Sequence, residues 1–314
     1  MIMITGAAGG IGGRMAQRFL KQGIDFIGID YVNNPELPET MFEKLDIRDP
    51  AVADLMERRG VTSIIHLAFC TQPKTPPQLQ NDIDLNGSRN IADCAVNKGV
   101  KNIVFASSGR VYGDRSMDGG MYDSDGNYLN PLDDTYAQNK FKAENIFLNA
   151  VRGREIKLTI LRLAIVCWQG GGLGIGDMLK STSKTGRFFT FGKSNPPMQL
   201  VHVEDVIDAF YSAIGKEGIF DIAAEGKLTM LELYTRAALK GGQKASHIKL
   251  PYLPVLWLVS LMWKCRLSPV PPCYVKLGTY DITRDISTTV LTLGKPRYTI
   301  EQVLDEIIQI SINR

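Results

Sequence analysis

Histidine is scarce in this chain. The three present (His66, His202 and His247) have no spacing that would gather them round a metal. Metal-dependent chemistry therefore lacks an evident ligand set, and structural or surface roles fit these side chains better. The five cysteines (Cys70, Cys94, Cys167, Cys265 and Cys273) are scattered, odd in number and never in C-x-x-C. That argues against a disulfide framework and fits a reduced, cytoplasmic compartment. Charge of one sign is lacking too: the formal net charge is +3, with no basic stripe interleaved with aromatics. Nucleic acid and anionic membrane are not called for as partners. The longest apolar stretch, Pro251 to Trp263, is broken by Pro254 and Ser260. It falls short of the roughly 20 residues a spanning helix needs, so no transmembrane segment is expected. The chain opens on an apolar strand pattern with no cationic leader, so no signal peptide is expected either. No internal repeat or low-complexity tract is visible.

What is there is an ordinary globular composition, 44% hydrophobic and 22% charged over 314 residues. That is enough to bury a large core in one large domain or two unequal ones. Short apolar runs alternate with longer amphipathic ones. Strands are predicted at Met1–Thr5, Asp25–Asp30, Phe42–Leu45, Ser63–Leu67, Lys101–Ser107 and Lys157–Leu163. Helices are predicted at Ile11–Gln22, Pro50–Arg59, Pro77–Lys98 and Asp134–Arg152. Apolar strands separated by helices indicate a Rossmann-type, doubly wound α/β parallel sheet. The rhythm changes after Leu163, where Gly170, Gly171, Gly172, Gly174 and Gly176 suggest a flexible loop. Further strands are expected at Phe188–Phe191, Gln199–Val203 and Ile219–Ala223, followed by a tail rich in proline. The expected division is a dinucleotide-binding domain at 1–163 plus about 201–224. A smaller, mainly C-terminal substrate-binding domain would take about 164–200 and 225–314.

Gly6, Gly9 and Gly12 follow the first strand and open the first helix. Glycines there allow a tight turn and let backbone N–H groups, including those of Gly10 and Ile11, approach a pyrophosphate. Asp30 ends the second strand, 18 residues after Gly12. An acid at that place accepts the adenosine ribose hydroxyls and repels a 2′-phosphate. NAD is therefore preferred over NADP, although Arg14 could reach a 2′-phosphate.

Farther along, Tyr136 and Lys140 stand one helical turn apart. A tyrosine is a poor base at neutral pH unless a nearby ammonium favours its phenolate. Ser107-Ser108 ends the fifth strand at the carboxyl edge, where ligands bind in such sheets. Together with the glycine turn, these residues predict hydride chemistry at a carbonyl or alcohol. Ser108 would hold the substrate oxygen and Tyr136 would exchange the proton.

At this point the sequence resembles the extended short-chain dehydrogenase/reductase superfamily, its NAD-dependent epimerase/dehydratase-like branch, over nearly the whole chain. The motifs are Thr5-Gly6-x-x-Gly9-x-x-Gly12, Asp30, Asp46-Ile47, His66-Leu67-Ala68 and Ser107-Ser108-x-x-Val111-Tyr112-Gly113. Tyr136-x-x-x-Lys140, Arg162 and His202-Val203-x-Asp205-Val206 complete them. The resemblance implies a Ser108/Tyr136/Lys140 triad. It also implies that Asp46 and Ile47 contact adenine, that Leu67 and Ala68 line the dinucleotide, and that Lys140 binds the nicotinamide ribose. Family members typically form homodimers through two long helices, here about 77–98 and 134–152.

Departures bear on the substrate. Ile165 stands where nucleotide-sugar enzymes of the family usually carry Asn, and Met198 where they carry an Arg for the diphosphate. Trp168 and Gln169 replace the usual Gly-Pro, and Asp84 replaces the Asn of N-x-x-G. Ile165, Trp168 and Met198 would line the substrate. Losing a cation and a polar anchor disfavours a nucleoside diphosphate there. The apolar segment 251–263 is either a lid over an apolar substrate or a core helix of the small domain. The expectation is an NAD-dependent oxidoreductase interconverting a secondary alcohol and a ketone on a small molecule other than a nucleotide sugar. A sugar-nucleotide epimerase or dehydratase with retained NAD is the alternative. A non-enzymatic dinucleotide sensor is disfavoured by the intact triad.

Overall fold

Strands β1 (Ile2–Thr5), β2 (Phe26–Asp30), β3 (Phe42–Lys44), β4 (Ser63–His66), β5 (Asn102–Ser108) and β6 (Lys157–Leu163) join a last strand, Gly218–Ile222, in one seven-stranded sheet. The spatial order is Gly218–Ile222, β6, β5, β4, β1, β2, β3. The pairs β1–β2, β1–β4, β2–β3 and β4–β5 are parallel. β2 and β4 are buried at every position, as strands covered on both faces should be. The order reverses between β1 and β4, so the carboxyl ends carrying Thr5-Gly6 and His66-Leu67 form the switch point of a doubly wound α/β fold.

This computed structural model describes residues 1–113, 135–168, 171–172, 175–192, 195–268 and 270–312, with only the backbone at 171–172 and 309–312. The chain divides into two compact units. The first is Met1–Ser108, Thr135–Arg162 and Ile207–Phe220. The second takes the described residues of 109–134, Leu163–Val206 and Asp221–Arg314. In the first unit Met3, Ile27, Ile64 and Ile103 from the sheet meet Val52, Leu55, Ile91 and Phe147 from the helices.

The stretch expected to be one helix over 77–98 is an α-helix at Pro77–Asn81, a π-helical stretch at Asp82–Asn86 and an α-helix at Gly87–Asn97. The π stretch carries Asp84 into the interior, where it is fully buried. At Gly87 a Cβ would lie 2.3 Å from Ile47 Cδ1, so the absent side chain lets Ile47 pack against the helix.

In the second unit Leu200–His202, Ile165–Trp168 and Gly171–Gly172 form a three-stranded sheet. Part of the expected glycine loop is thus a strand, and Gly176 lies in the Ile175–Thr185 helix. Gln169, Gly170 and Gly174 lie outside the described residues. Arg187–Phe191 pairs in parallel with Ser246–Leu250, a strand whose His247 and Lys249 hide it from an apolar pattern. The core gathers Leu200, Leu228, Leu233, Tyr234, Val303 and Leu304. The apolar segment becomes a helix, Tyr252–Lys264, with no buried residue. It is therefore not a core helix, one of the two readings its composition allows.

Candidate active site

The chain leaves β1 at Thr5 and turns at Gly6 with φ 73°. A Cβ there would sit 2.8 Å from the Ala68 nitrogen, so only glycine fits at this close approach to the end of β4. The Gly6 carbonyl accepts from the Gly9 N–H at 3.0 Å. It lies where a Cβ on Gly12 would be, only 2.1 Å away. Gly10 and Ile11 open the Gly10–Gln22 helix, which has no side-chain cap and no acid in its first turn. Its leading N–H groups lack intrahelical acceptors and carry the positive end of the helix dipole. This fits a pyrophosphate and needs no lysine or arginine to do so.

The turn is braced from behind. Asp30 is buried at the end of β2, and its Oδ2 accepts from the Ala8 N–H at 3.0 Å. Asn34 Nδ2 donates to the Ala7 carbonyl at 2.8 Å. Asn34 carried no sequence signal beyond an asparagine shortly after a strand. Thr5 Oγ1 accepts from the N–H groups of Leu67 and Ala68, both at 3.1 Å. Its own proton must then go to His66 Nδ1, 2.7 Å away. His66 Nε2 is thereby left as the donor toward Ser88 Oγ (3.3 Å), and Ser88 donates to the Asp84 carbonyl (2.5 Å). The imidazole is neutral: burial, then the Lys140 charge, pushes its pKa down to about 3.

Asp46 is half-buried and engaged by Arg48 through its Oδ1 (3.0 Å from Nε) and Oδ2 (2.6 Å from Nη2), which holds its pKa below the usual range. Ile47 turns its side chain into the core, and its carbonyl accepts from Asn90 Nδ2 at 2.8 Å. Leu67 and Ala68 are half-buried at the switch point.

The Thr135–Val151 helix presents Tyr136 and Lys140 together. Lys140 is buried and donates to the Ala106 carbonyl at 2.6 Å, two residues before Ser108 on β5. Ser108 is buried at the strand's last position. Lys140 Nζ lies 3.5 Å from the Phe69 ring centroid and 5.7 Å from that of Tyr136. Phe69 also meets the Tyr136 ring edge to face at 5.9 Å. Burial presses the Lys140 pKa down to about 7, against the opposing pull of Asp84 and Glu144.

Glu144 lay outside the sequence argument, and Asp84 entered it only as a departure from N-x-x-G. Glu144, one further turn along the stripe of Tyr136 and Lys140, accepts from Arg162 Nε at 2.9 Å and Nη2 at 2.7 Å, and from Ser107. Its position at i+4 from Lys140 was the available signal. Asp84 accepts from the Cys70 N–H at 2.7 Å and from Asn139 Nδ2 at 3.0 Å. Burial, first of all, raises its pKa to about 6. Asp84 thus ties the Phe69–Cys70 loop to the helix carrying Tyr136.

The residues expected to line the substrate all fall in the second unit. Met198 is buried beside Leu228 and Leu200, and Ile165 packs against the same core. Trp168 ends its strand half-buried. In the same unit His202 stacks on Tyr298 at 3.9 Å and meets Glu306 at 2.6 Å. Asp205 accepts from the N–H groups of Arg297 and Tyr298 at 2.9 and 3.1 Å. The His202-Val203-x-Asp205 motif thereby anchors the segment at 297–298. Among the described residues no group of His, Cys, Asp and Glu could hold a metal.

Residues 2–223 match the model of the NAD dependent epimerase/dehydratase family. A putative UDP-glucose 4-epimerase of Methanocaldococcus jannaschii is 28% identical over 252 residues, 74% of this chain and 80% of that relative. The UDP-glucose 4-epimerase of Lactobacillus helveticus is 25% identical over 80% of this chain and 83% of its own. The crystal structure of Thermotoga maritima UDP-glucose 4-epimerase with UDP-glucose superposes with a TM-score of 0.78 at 19% identity, covering 99% and 98% of the two chains. The expectation of an alcohol–ketone oxidoreductase acting on something other than a nucleotide sugar is overturned by this company. Its physical flaw lies at Met198 and Ile165. Both pack on the second unit's core, so their apolar character reports packing and not the charge of a ligand.

Proposed function

Because the chain belongs to the NAD-dependent epimerase/dehydratase family, we propose that it is a nucleotide-sugar epimerase, inverting C4 of a UDP-hexose with NAD retained throughout. The observation that carries this reading is the Tyr136–Lys140 pair packed on Phe69 beside β5, in a chain whose relatives over most of its length include a putative and a named UDP-glucose 4-epimerase. NAD, when bound, supplies a reversible hydride acceptor for the sugar carbon. Tyr136 takes the C4 hydroxyl proton and returns it once the opposite face is presented. Lys140 keeps a positive charge near the phenol, which favours the phenolate, and binds the nicotinamide ribose. Ser108 hydrogen-bonds the sugar oxygen.

Around the cofactor, Gly6, Gly9, Gly10, Ile11 and Gly12 receive the pyrophosphate, and Asp30 the adenosine ribose. Asp46 and Ile47 flank adenine, and Leu67 and Ala68 line the dinucleotide. The first unit is assigned to NAD and the second to the sugar nucleotide. A homodimer through the helices at about 77–98 and 134–152 completes the reading.

The test uses purified protein with UDP-galactose and no added NAD, followed by NMR of the anomeric protons. UDP-glucose should appear, and heat-denatured protein should release NAD. Tyr136→Phe should abolish turnover and keep the NAD. Absence of interconversion in a protein that retains NAD would overturn the UDP-hexose assignment. An active Tyr136→Phe would overturn the role of Tyr136.

A further inference from the structure

The helix Tyr252–Lys264 is built inside out. Leu253, Trp257 and Leu261, at i, i+4 and i+8, are 72%, 68% and 45% exposed, and Leu258 beside them is 50% exposed. These residues share one face, and that face looks away from the protein. Tyr252, Val255, Leu256, Val259 and Trp263 are half-buried on the other side. A helix that covers a core shows solvent its polar face; this one shows its apolar face. Leu267, just beyond the helix, is 72% exposed and extends the patch. Two of the chain's three tryptophans are in this helix.

The charge along the chain on either side of the helix has one sign. Between Glu232 and Asp281 there is no acidic residue, while Arg236, Lys240, Lys244, Lys249, Lys264, Arg266 and Lys276 are all cations. Arg236 and Lys240 are committed to Glu301 and Asp305. Lys244, Lys249, Lys264 and Arg266 are exposed, and none is in an ion pair among the described residues. The chain's net charge of only +3 conceals this concentration, because the remainder of the chain is net negative.

We propose that the Tyr252–Lys264 helix docks this protein on an anionic bilayer surface, lying in the plane of the interface. Thirteen residues span roughly 20 Å, too short to cross a hydrocarbon core of about 30 Å. A short helix with tryptophan and leucine outward and lysine and arginine at its borders has the chemistry of an interfacial anchor. A second copy of this chain is a poorer occupant, because it would bring the same cations face to face. The proposal does not depend on the sugar-nucleotide reading.

The test is co-sedimentation of the full chain with vesicles of phosphatidylcholine alone or mixed with phosphatidylglycerol. Binding to the mixed vesicles should be on the order of tenfold tighter or more, weaken with salt and shift tryptophan emission to the blue. The double variant Leu253→Ser/Trp257→Ser, with both sites exposed, should keep its thermal midpoint and lose at least about tenfold in binding. Lys264→Glu/Arg266→Glu should lose the preference for anionic lipid. No sedimentation with the mixed vesicles would overturn the proposal. Binding indifferent to Leu253→Ser/Trp257→Ser would overturn the role of the helix. A wild-type oligomer that these serines dissociate, with no vesicle binding, would show the face to be a protein contact instead.

Discussion

Replacing Asp84 by Asn should move the alkaline limit of activity toward acid. Lys140 is pressed down to about 7 by burial, with Asp84 and Glu144 opposing the fall. Glu144 is already engaged by Arg162, and His66 is neutral. The Asp84 carboxylate is therefore the main counter-charge left to the ammonium. Asn keeps the size of the side chain and an acceptor for the Cys70 N–H, and Asn139 can rotate its amide to match. What changes is the charge. An opposite charge close by is worth about 1–3 pKa units, so Lys140 in Asp84→Asn should fall by that amount from its value of about 7. In the proposed mechanism Lys140 acts protonated, and a lower pKa means it loses its proton at lower pH. Initial rates of UDP-hexose interconversion between about pH 5 and about pH 9, with NAD content measured at each point, should show the alkaline limb displaced by about one unit or more. Near neutrality the rate should drop about fivefold or more. An unmoved limb at full NAD content would refute the argument that Asp84 sets the charge of Lys140.

Gly12→Ala places a methyl 2.1 Å from the Gly6 oxygen, so the helix must shift. NAD retention should be lost on purification, with a stability cost of about 1–3 kcal/mol by denaturant titration. Glu144→Gln removes the carboxylate that takes two hydrogen bonds from the buried Arg162 guanidinium and should destabilise by about 3–5 kcal/mol, read from urea midpoints. His66 has a folded pKa of about 3 against an ordinary 6.5, so below 6.5 the unfolded chain binds a proton the folded chain refuses. Stability should therefore fall with pH by about 1.4 kcal/mol per unit from about 6.5 downward. Comparing wild type with His66→Asn isolates this slope from Asp84, whose raised pKa works in the opposite sense.

The parallel sheet was legible because β2 and β4 carry apolar runs ahead of their polar ends, and the turn because Gly6 and Gly12 have no steric substitute. The helix over 77–98 was read whole, since a π stretch inserts residues without breaking apolar periodicity. Yet that stretch is what buries Asp84. Glu144 and Arg162 were not recognised as a pair because they meet only when the helix lies on the sheet. Met198 and Ile165 misled because a sequence position tells which residue replaces another, not whether it faces a ligand or a core. The place of the Tyr252–Lys264 helix stayed open for the same reason: outward and inward leucines have the same composition.

The bracing of the Gly6–Gly12 turn also bears on how long a bound dinucleotide stays. Asp30, Asn34 and Thr5 fix the backbone of the turn through protein groups alone, so its ordering belongs to folding and not to binding. A cradle finished in advance keeps most of its contact energy as residence time. For the proposed epimerase, which would return each pair of electrons to the sugar that gave them, slow release is a requirement. Weakening Asn34, far from any reacting atom, should thus turn a self-contained enzyme into one that depends on NAD in the medium.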